Sequence, residues 1–379
     1  MQTRIYADHA ATTAMTPAAR TAMEPWLQDR YGNPSTLYSF AIEPRRAIAS
    51  ARGTIAACIG ARPEEIYFTS GGTEADNWAL MGSAFWNPDQ RGHIITSSIE
   101  HHAILHTCDF LKCLGYDVDF LPVNQHGLIS AETLDNYLRS ETMLVSIMLA
   151  NNEIGTIEPI KELAEVAHQH GCLFHTDAVQ AVGHILLDVK DLGVDMLSAS
   201  AHKFNGPKGI GFLYIRDGVP IEPLLHGGAQ ENNRRAGTEN VAGIVGMATA
   251  LQEHIENLGQ EAAYLQKLAD LLLKALRNTD LDFIVNGGDN RIPGSLSLSF
   301  RGAEGEMLLH RLDLMGTAVA TGSACDSKNT VLSHVIRAIG IPDMYANGTI
   351  RITFGMDNTF EQIPVLAEQI SCILKNRRH

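Results

Sequence analysis

Lys203 stands in the run 197–214, L-S-A-S-A-H-K-F-N-G-P-K-G-I-G-F-L-Y, beside the Ser200 hydroxyl and the His202 imidazole. The apolar–polar alternation over 196–200 predicts a strand end just before it. Gly206, Pro207, Gly209 and Gly211 forbid a helix and force a tight loop, and 210–215 reads as the next strand. A lysine held at the mouth of a strand is a candidate Schiff-base nucleophile, because partial burial lowers an amine pKa toward neutrality. The same run also reads as a solvated lysine in a glycine-rich turn, so the rest of the chain has to decide.

Other chemistry-bearing residues follow strand ends in the same way. The strand over 65–69 runs into Ser70-Gly71-Gly72-Thr73-Glu74 and a helix through 79. Strand, glycines, hydroxyl and helix N-terminus together suit an anion such as a phosphate. Ordinary capping by Ser70 or Thr73 is the competing reading. The run is neither a Walker A loop nor G-x-G-x-x-G. A strand over 93–96 precedes Glu100-His101-His102 and a helix over 104–114, so His101 lies in a turn that faces a cleft. His102 and His106 are four apart and could share a helix face as metal ligands, but no third ligand has suitable spacing, and no metal is expected. Asn152 follows an apolar strand over 143–150, and Asp177 ends a strand over 173–176 with Gln180 three residues later. Thr73, His101, Asn152, Asp177, Gln180, Ser200 and Lys203 all obey one placement rule. In an open α/β sheet, ligands bind at the carboxyl ends of the strands. An aspartate at a strand end and a later lysine are the two requirements of pyridoxal phosphate chemistry. The lysine forms the Schiff base and the carboxylate keeps the pyridine nitrogen protonated.

The elements that must hold these residues are legible in outline. A short extended segment, 5–7, precedes Asp8-His9-Ala10-Ala11-Thr12-Thr13, and Thr16-Pro17 starts a helix. A helix over 43–59 stops at Gly60, and 160–170 is amphipathic. Strands alternate with helices from 65 to 215, which predicts βαβ units and a mostly parallel sheet. A polar loop from His226 to Thr238 leads to a long helix over 252–277. Beyond it, strands at 295–300, 317–321 and 350–354 and helices at 304–315, 331–339 and 360–375 form a smaller α+β region. The expected division is 16–251 for the large domain, and 1–15 with 252–379 for the small one.

The 379 residues are 45% hydrophobic, enough for two domains and a large core. A net charge of −14 argues against direct nucleic-acid binding, which needs a basic footprint. No apolar run approaches the ~20 residues that span a bilayer, and the first ten residues have no secretory h-region, so the expected compartment is the cytoplasm. The six cysteines form no disulfide framework or zinc pattern. Cys58, Cys108, Cys113, Cys172 and Cys372 read as small core residues. Cys325 differs, because Gly322, Ser323, Ala324, Asp326, Ser327, Lys328 and Asn329 around it are a loop composition.

At this point the chain resembles the cysteine desulfurases of the NifS/IscS type. The resemblance rests on A-D-H-A-A-T-T at Ala7, F-T-S-G-G-T-E-A-D-N at Phe68, N-N-E-I-G at Asn151 and H-T-D-A-V-Q at His175. S-A-H-K before and through Lys203, R-A-G-T at Arg235, G-S-A-C at Gly322 and I-R-I-T-F-G at Ile350 extend it over nearly the whole chain. It implies a fold-type I pyridoxal phosphate enzyme, acting as a homodimer, that turns L-cysteine into L-alanine and passes the sulfur on through a persulfide. It further implies that Lys203 is the cofactor lysine, Cys325 the nucleophile, Asp177 the partner of the pyridine nitrogen, Gln180 a neighbour of the ring oxygen and His101 a stacking residue with a part in proton movement. Gly72, Thr73, Ser200 and His202 would hold the phosphate, joined by Thr238 of the neighbouring subunit, while Asn152 and Arg351 would bind the substrate carboxylate. The implied partner is a sulfur-acceptor protein, an iron–sulfur assembly scaffold or a thiolation enzyme. Two features depart from the pattern. Asp326 replaces the threonine common after the cysteine and disfavours a thiolate, and the chain ends soon after its last helix, without the scaffold-docking tail. A related pyridoxal phosphate lyase or aminotransferase, for example one preferring selenocysteine, and a non-catalytic sulfur-relay homologue, are the alternatives. The second predicts loss of Lys203, Asp177 or Cys325, and all three are present.

Overall fold

The computed structural model describes residues 4–86, 92–322 and 332–375. Its centre is a seven-stranded sheet in the order Ile66–Thr69, Gly211–Ile215, Met196–Ser200, Leu173–Asp177, Thr142–Ser146, His93–Ser97, Asp117–Leu121. Gly211–Ile215 runs antiparallel to both its neighbours; the other pairs are parallel. The fold is therefore α/β with a mostly parallel central sheet. Helices cover both faces, so the inner strands are near-continuous apolar runs. Phe174, Val145, Leu197 and Phe212 join one side core, and Ile94, Leu144, Met196 and Leu213 the other.

A second core lies apart from the sheet. Strands Phe283–Val285, Ser295–Phe300 and Thr349–Thr353 form an antiparallel sheet with Ser295–Phe300 in the middle. Leu296, Leu298, Ile350 and Ile352 pack there against Leu366 and Ile370 of the helix Gln362–Lys375. Ile5 and Ala7 belong to this core, through a parallel pairing of Ile5–Tyr6 with Thr317–Ala318.

The helix expected over 252–277 begins eleven positions earlier, at Val241. Asn240 caps it by accepting from the Gly243 N–H at 3.0 Å. It runs unbroken for 37 residues to Arg277, about 55 Å. Its first half packs on the large core through Ile244, Met247 and Leu251. Its second half packs on the small core through Leu265, Leu268 and Leu272. The expected division at 251/252 thus falls inside one rigid element. The strand expected over 143–150 is Thr142–Ser146. Beyond it the chain still bonds along the sheet, Leu149 N–H to the Asp177 carbonyl at 2.8 Å, then turns back at 151–155 to bridge Ala150 with Ile157.

The edge strand Asp117–Leu121 and the helix Ala131–Tyr137 carry no strong sequence signal. The first is charged and half exposed, and its Asp117 and Asp119 pair with Arg139. The strand expected over 317–321 shortens to Thr317–Ala318, and the helix expected from 331 is described as His334–Ala338, capped by Ser333. The reading of five core cysteines is corrected. Cys108 and Cys172 are buried and Cys58 is half-buried, but Cys113 and Cys372 are exposed. Helical period explains both: Cys113 lies three residues past the half-exposed Phe110, and Cys372 lies seven past the exposed Val365, opposite Leu366 and Ile370. Among the described residues no helix is long and apolar enough to cross a membrane.

Candidate active site

The carboxyl ends of the large-sheet strands open into a cavity of about 340 Å³. Gly72, Thr73, His101, Asn152, Asp177, Gln180, Ser200, His202, Lys203 and Arg351 all line it, so ten of the sequence-derived site residues converge. Thr238 does not: it is exposed in the loop before the helix Val241–Arg277, outside this cavity. Cys325 and Asp326 lie outside the described residues, although Gly322, three positions before the cysteine, lines the cavity.

Lys203 ends the short turn Ala201–Lys203 that continues the strand Met196–Ser200. Its Nζ donates to the Ala10 carbonyl and to the Ala11 carbonyl at 3.0 Å. The N-terminal segment therefore crosses the mouth of the strand, tied down further by Thr13 N–H to the His202 carbonyl at 3.0 Å. Gln180 Nε2 also donates to the Ala10 carbonyl, at 3.0 Å. The turn after Lys203 needs Asn205 at φ 57° and Gly209 at φ 77°, a left-handed geometry suited to these two residue types.

Asp177 is the last residue of its strand and 5% exposed. Its Oδ1 accepts from the Val179 N–H at 2.9 Å. Burial pushes its carboxyl up; that hydrogen bond and the Lys203 charge pull it back. Asp76, also on the cavity wall, is fully buried, and burial together with the Asp177 charge holds it well above the usual carboxylate range. His101 caps the helix His102–Cys113 by accepting from the Ala103 N–H on Nδ1 at 3.1 Å, which leaves the ring proton on Nε2. Burial first, and then the Lys203 charge, push its pKa down to about 4, so the ring is neutral at physiological pH. His202 is lowered to about 4 by burial, with Nδ1 3.2 Å from the Thr12 hydroxyl.

The anion end is built at the start of the helix Gly72–Trp86. A Cβ at Gly72 would meet Val179 Cγ2 at 2.6 Å and the Ser200 Cβ at 3.6 Å, so only glycine lets the helix start approach the strand ends. Ser200, His202 and Thr73 surround it in the same cavity. These residues fit pyridoxal phosphate: a buried carboxylate, a lysine, and a helix N-terminus with hydroxyl and imidazole donors share one cavity.

The far wall comes from the small core. Arg351, 5% exposed in the strand Thr349–Thr353, donates from Nη1 to the Asn152 carbonyl and from Nη2 to Asp8 Oδ1, both at 2.7 Å. Its Nε is buried with no acceptor among the described residues. Asp8 is a residue that sequence reasoning quoted only inside a motif, and Asp76 and Glu153 were passed over likewise. Their partners are remote in sequence, and no local period points to them. The His102–His106 pair is real, with rings 4.9 Å apart, and His334 joins it at 5.1 Å from His102. Among the described residues no group of three or more His, Cys, Asp or Glu is arranged to hold a metal.

The chain matches the family model "Aminotransferase class-V" over residues 5–366. It is 48% identical to the cysteine desulfurase IscS of Dictyoglomus turgidum over 379 residues, covering 100% of this chain and 96% of the relative. It is 46% identical to the putative cysteine desulfurase IscS 1 of Bacillus subtilis, covering 98% and 99%. Among solved structures it is similar to a NifS-like protein, with TM-score 0.93 and 38% identity over 98% of this chain and 100% of that one. It is also similar to SspA in complex with cysteine, with TM-score 0.83 and 37% identity over 93% and 99%. A lysine, an aspartate and a glycine-led helix start in one cavity, and relatives of one activity along the full chain, lead to the same conclusion: this chain belongs to the class-V aminotransferase family, as a pyridoxal phosphate-dependent cysteine desulfurase of the NifS/IscS type.

Proposed function

We propose that L-cysteine is held between Lys203 on one wall of the cavity and Arg351 on the other, and that Cys325 takes its sulfur. The observation that supports this most is the convergence of both residues, with Asp177, in one cavity between the two cores. When bound, the cofactor supplies an electron sink for the substrate carbons. Asp177 keeps a negative charge beside the ring nitrogen, and Gly72, Thr73, Ser200 and His202 hold the phosphate. Lys203 Nζ moves the proton at the substrate Cα. Neutral His101, with its proton on Nε2, covers the ring. Arg351 and Asn152 hold the substrate carboxylate, for which a planar guanidinium is suited. The Cys325 thiolate bonds to the substrate sulfur as the Cβ–S bond breaks. The bond's electron pair stays on carbon, and protonation there yields L-alanine. Free thiols are only a few per cent ionised at neutral pH, so a proton acceptor near Cys325 is required.

The large and small cores are proposed as the two domains, with the N-terminal segment in the second. The chain is proposed to act as a homodimer in the cytoplasm. Exposed Tyr31, Leu37, Tyr38, Phe40 and Ile42 offer an apolar surface for a second copy, and Thr238, outside its own cavity, is free to complete the phosphate site of the neighbour. Free Cys58, Cys108, Cys113 and Cys172 suit a reducing compartment. The persulfide is then passed to an acceptor protein, an iron–sulfur scaffold or a thiolation enzyme.

The test is mass spectrometry of the holoenzyme after one addition of L-cysteine. The added sulfur should map to Cys325. Cys325→Ser should bind cofactor and cysteine yet release almost no sulfide. A persulfide on Cys108, Cys113 or Cys172 would reject the assignment.

A further inference from the structure

Glu153 stands in the turn 151–155, 4% exposed, at the edge of the cavity. The turn is locked from within. Asn151 Oδ1 accepts from the N–H groups of Glu153 at 2.8 Å and Ile154 at 3.0 Å, and Asn151 Nδ2 donates to the Ile99 carbonyl at 2.8 Å. Gly155 closes it at φ 74°. A backbone fixed this firmly gives the carboxylate a defined place.

That place is between two flanks of one stretch of chain. Glu153 Oε2 accepts from the Ser333 hydroxyl at 2.6 Å. A Cβ built on Gly322 would lie 2.0 Å from the same oxygen, so residue 322 packs its bare backbone directly on the carboxylate. Residues 322 and 333 bracket the sequence that carries Cys325. The outer bonds continue the arrangement. Ala320 exchanges backbone bonds with Arg351, Ser333 Oγ accepts from the Val335 N–H at 3.1 Å, and the His334 Nε2 lies 3.0 Å from the Glu100 carbonyl.

A carboxylate in this setting is costly. Burial pushes Glu153 up to about 7, opposed by the Ser333 hydrogen bond and the charge of Arg351. Burying an acid with one hydroxyl partner costs stability that an apolar side chain would not. Its return is geometric: one oxygen holds Gly322 and Ser333, eleven positions apart, at one point on the cavity edge.

We propose that Glu153 is a positioning residue for sulfur transfer, pinning both flanks of the Cys325 stretch to the cavity edge and so setting the reach of the nucleophile. This rests on the reading that Cys325 takes the sulfur. The test is rapid mixing of the holoenzyme with L-cysteine, following the near-visible absorbance of the bound cofactor and, by quench and mass spectrometry, the persulfide on Cys325. In Glu153→Ala the absorbance response should stay within about twofold of wild type, while persulfide formation slows roughly 10- to 100-fold, the scale of an ångström-size misplacement. Glu153→Gln should recover most of the loss, because its amide oxygen still accepts from Ser333. Ser333→Ala should slow persulfide formation in the same sense, and adding it to Glu153→Ala should bring no further loss. If Glu153→Ala does not fold, Ser333→Ala and Gly322→Ala probe the same contact from its two flanks. Wild-type persulfide formation in these variants, a Gln variant as slow as the Ala variant, or a parallel loss of the absorbance response overturns the proposal. Absence of persulfide on Cys325 in the wild type instead overturns the parent reading, and this one with it.

Discussion

The two walls of the cavity are held in different ways. On the sheet side, Asp177 is fixed by the Val179 N–H and His101 by the Ala103 N–H, each two residues along the chain. On the opposite side, Arg351 is fixed by Asp8 across 343 positions and by Asn152 across 199, and Ser333 by Glu153 across 180. Lys203, Gln180 and His202 are exceptions on that wall, since they reach back to Ala10, Ala11 and Thr12 in the N-terminal segment. The contrast teaches a division of labour. Strand ends build the proposed cofactor wall largely by local rules, and tertiary contacts build the proposed substrate wall one pair at a time. The cofactor wall should therefore fail in the chemical step, and the substrate wall in binding and alignment.

Lys203→Ala tests the first wall and should have the largest effect. Alanine production from L-cysteine should fall by about 10⁴-fold, the upper scale of a lost proton-transfer group, and the borohydride-reducible link to the cofactor should vanish. Wild-type alanine release would remove Lys203 from the chemistry. Arg351→Ala tests the second wall. Truncating one partner of a buried charge pair costs roughly 2–4 kcal/mol of transition-state binding. The expected loss in kcat/KM for cysteine is then about 30- to 1000-fold, with cofactor binding kept. An unchanged kcat/KM would detach Arg351 from the substrate carboxylate.

A smaller effect is expected in stability rather than rate. Buried Glu158 accepts from the Ile129 N–H at 3.0 Å on one oxygen, and its other oxygen has no partner among the described residues. Burial pushes its carboxyl up to about 8. The unfolded chain loses this proton near pH 4.5 and the folded one keeps it to about 8, so stability falls as pH rises across that window. Glu158→Gln should therefore flatten the decline of Tm between pH 5 and about 8 by a few degrees. The half-buried histidines act with the opposite sign. His101, His202 and His184, each lowered to about 4, resist protonation in the folded state, so they cost stability as pH falls from about 6.5 toward 4. A Tm profile in Glu158→Gln identical to wild type would show that this carboxyl is not held neutral by the fold.

The sequence by itself determined the sheet side of this protein. Apolar runs of strand length, broken by glycines and polar residues, were enough to put Lys203, Asp177, Ser200 and His101 at strand ends, because side-chain period and turn chemistry are local properties. The type of most elements followed for the same reason. Tertiary structure alone decided the rest. It carried the helix Val241–Arg277 through an expected domain boundary, because each half found a separate core to pack on. It turned Cys113 and Cys372 to solvent, since the facing of a helix depends on what packs against it. It paired Arg351 with Asp8 and brought Gly322 and Ser333 onto Glu153. Contacts between residues hundreds of positions apart leave no periodic trace, and only the folded chain brings those residues together.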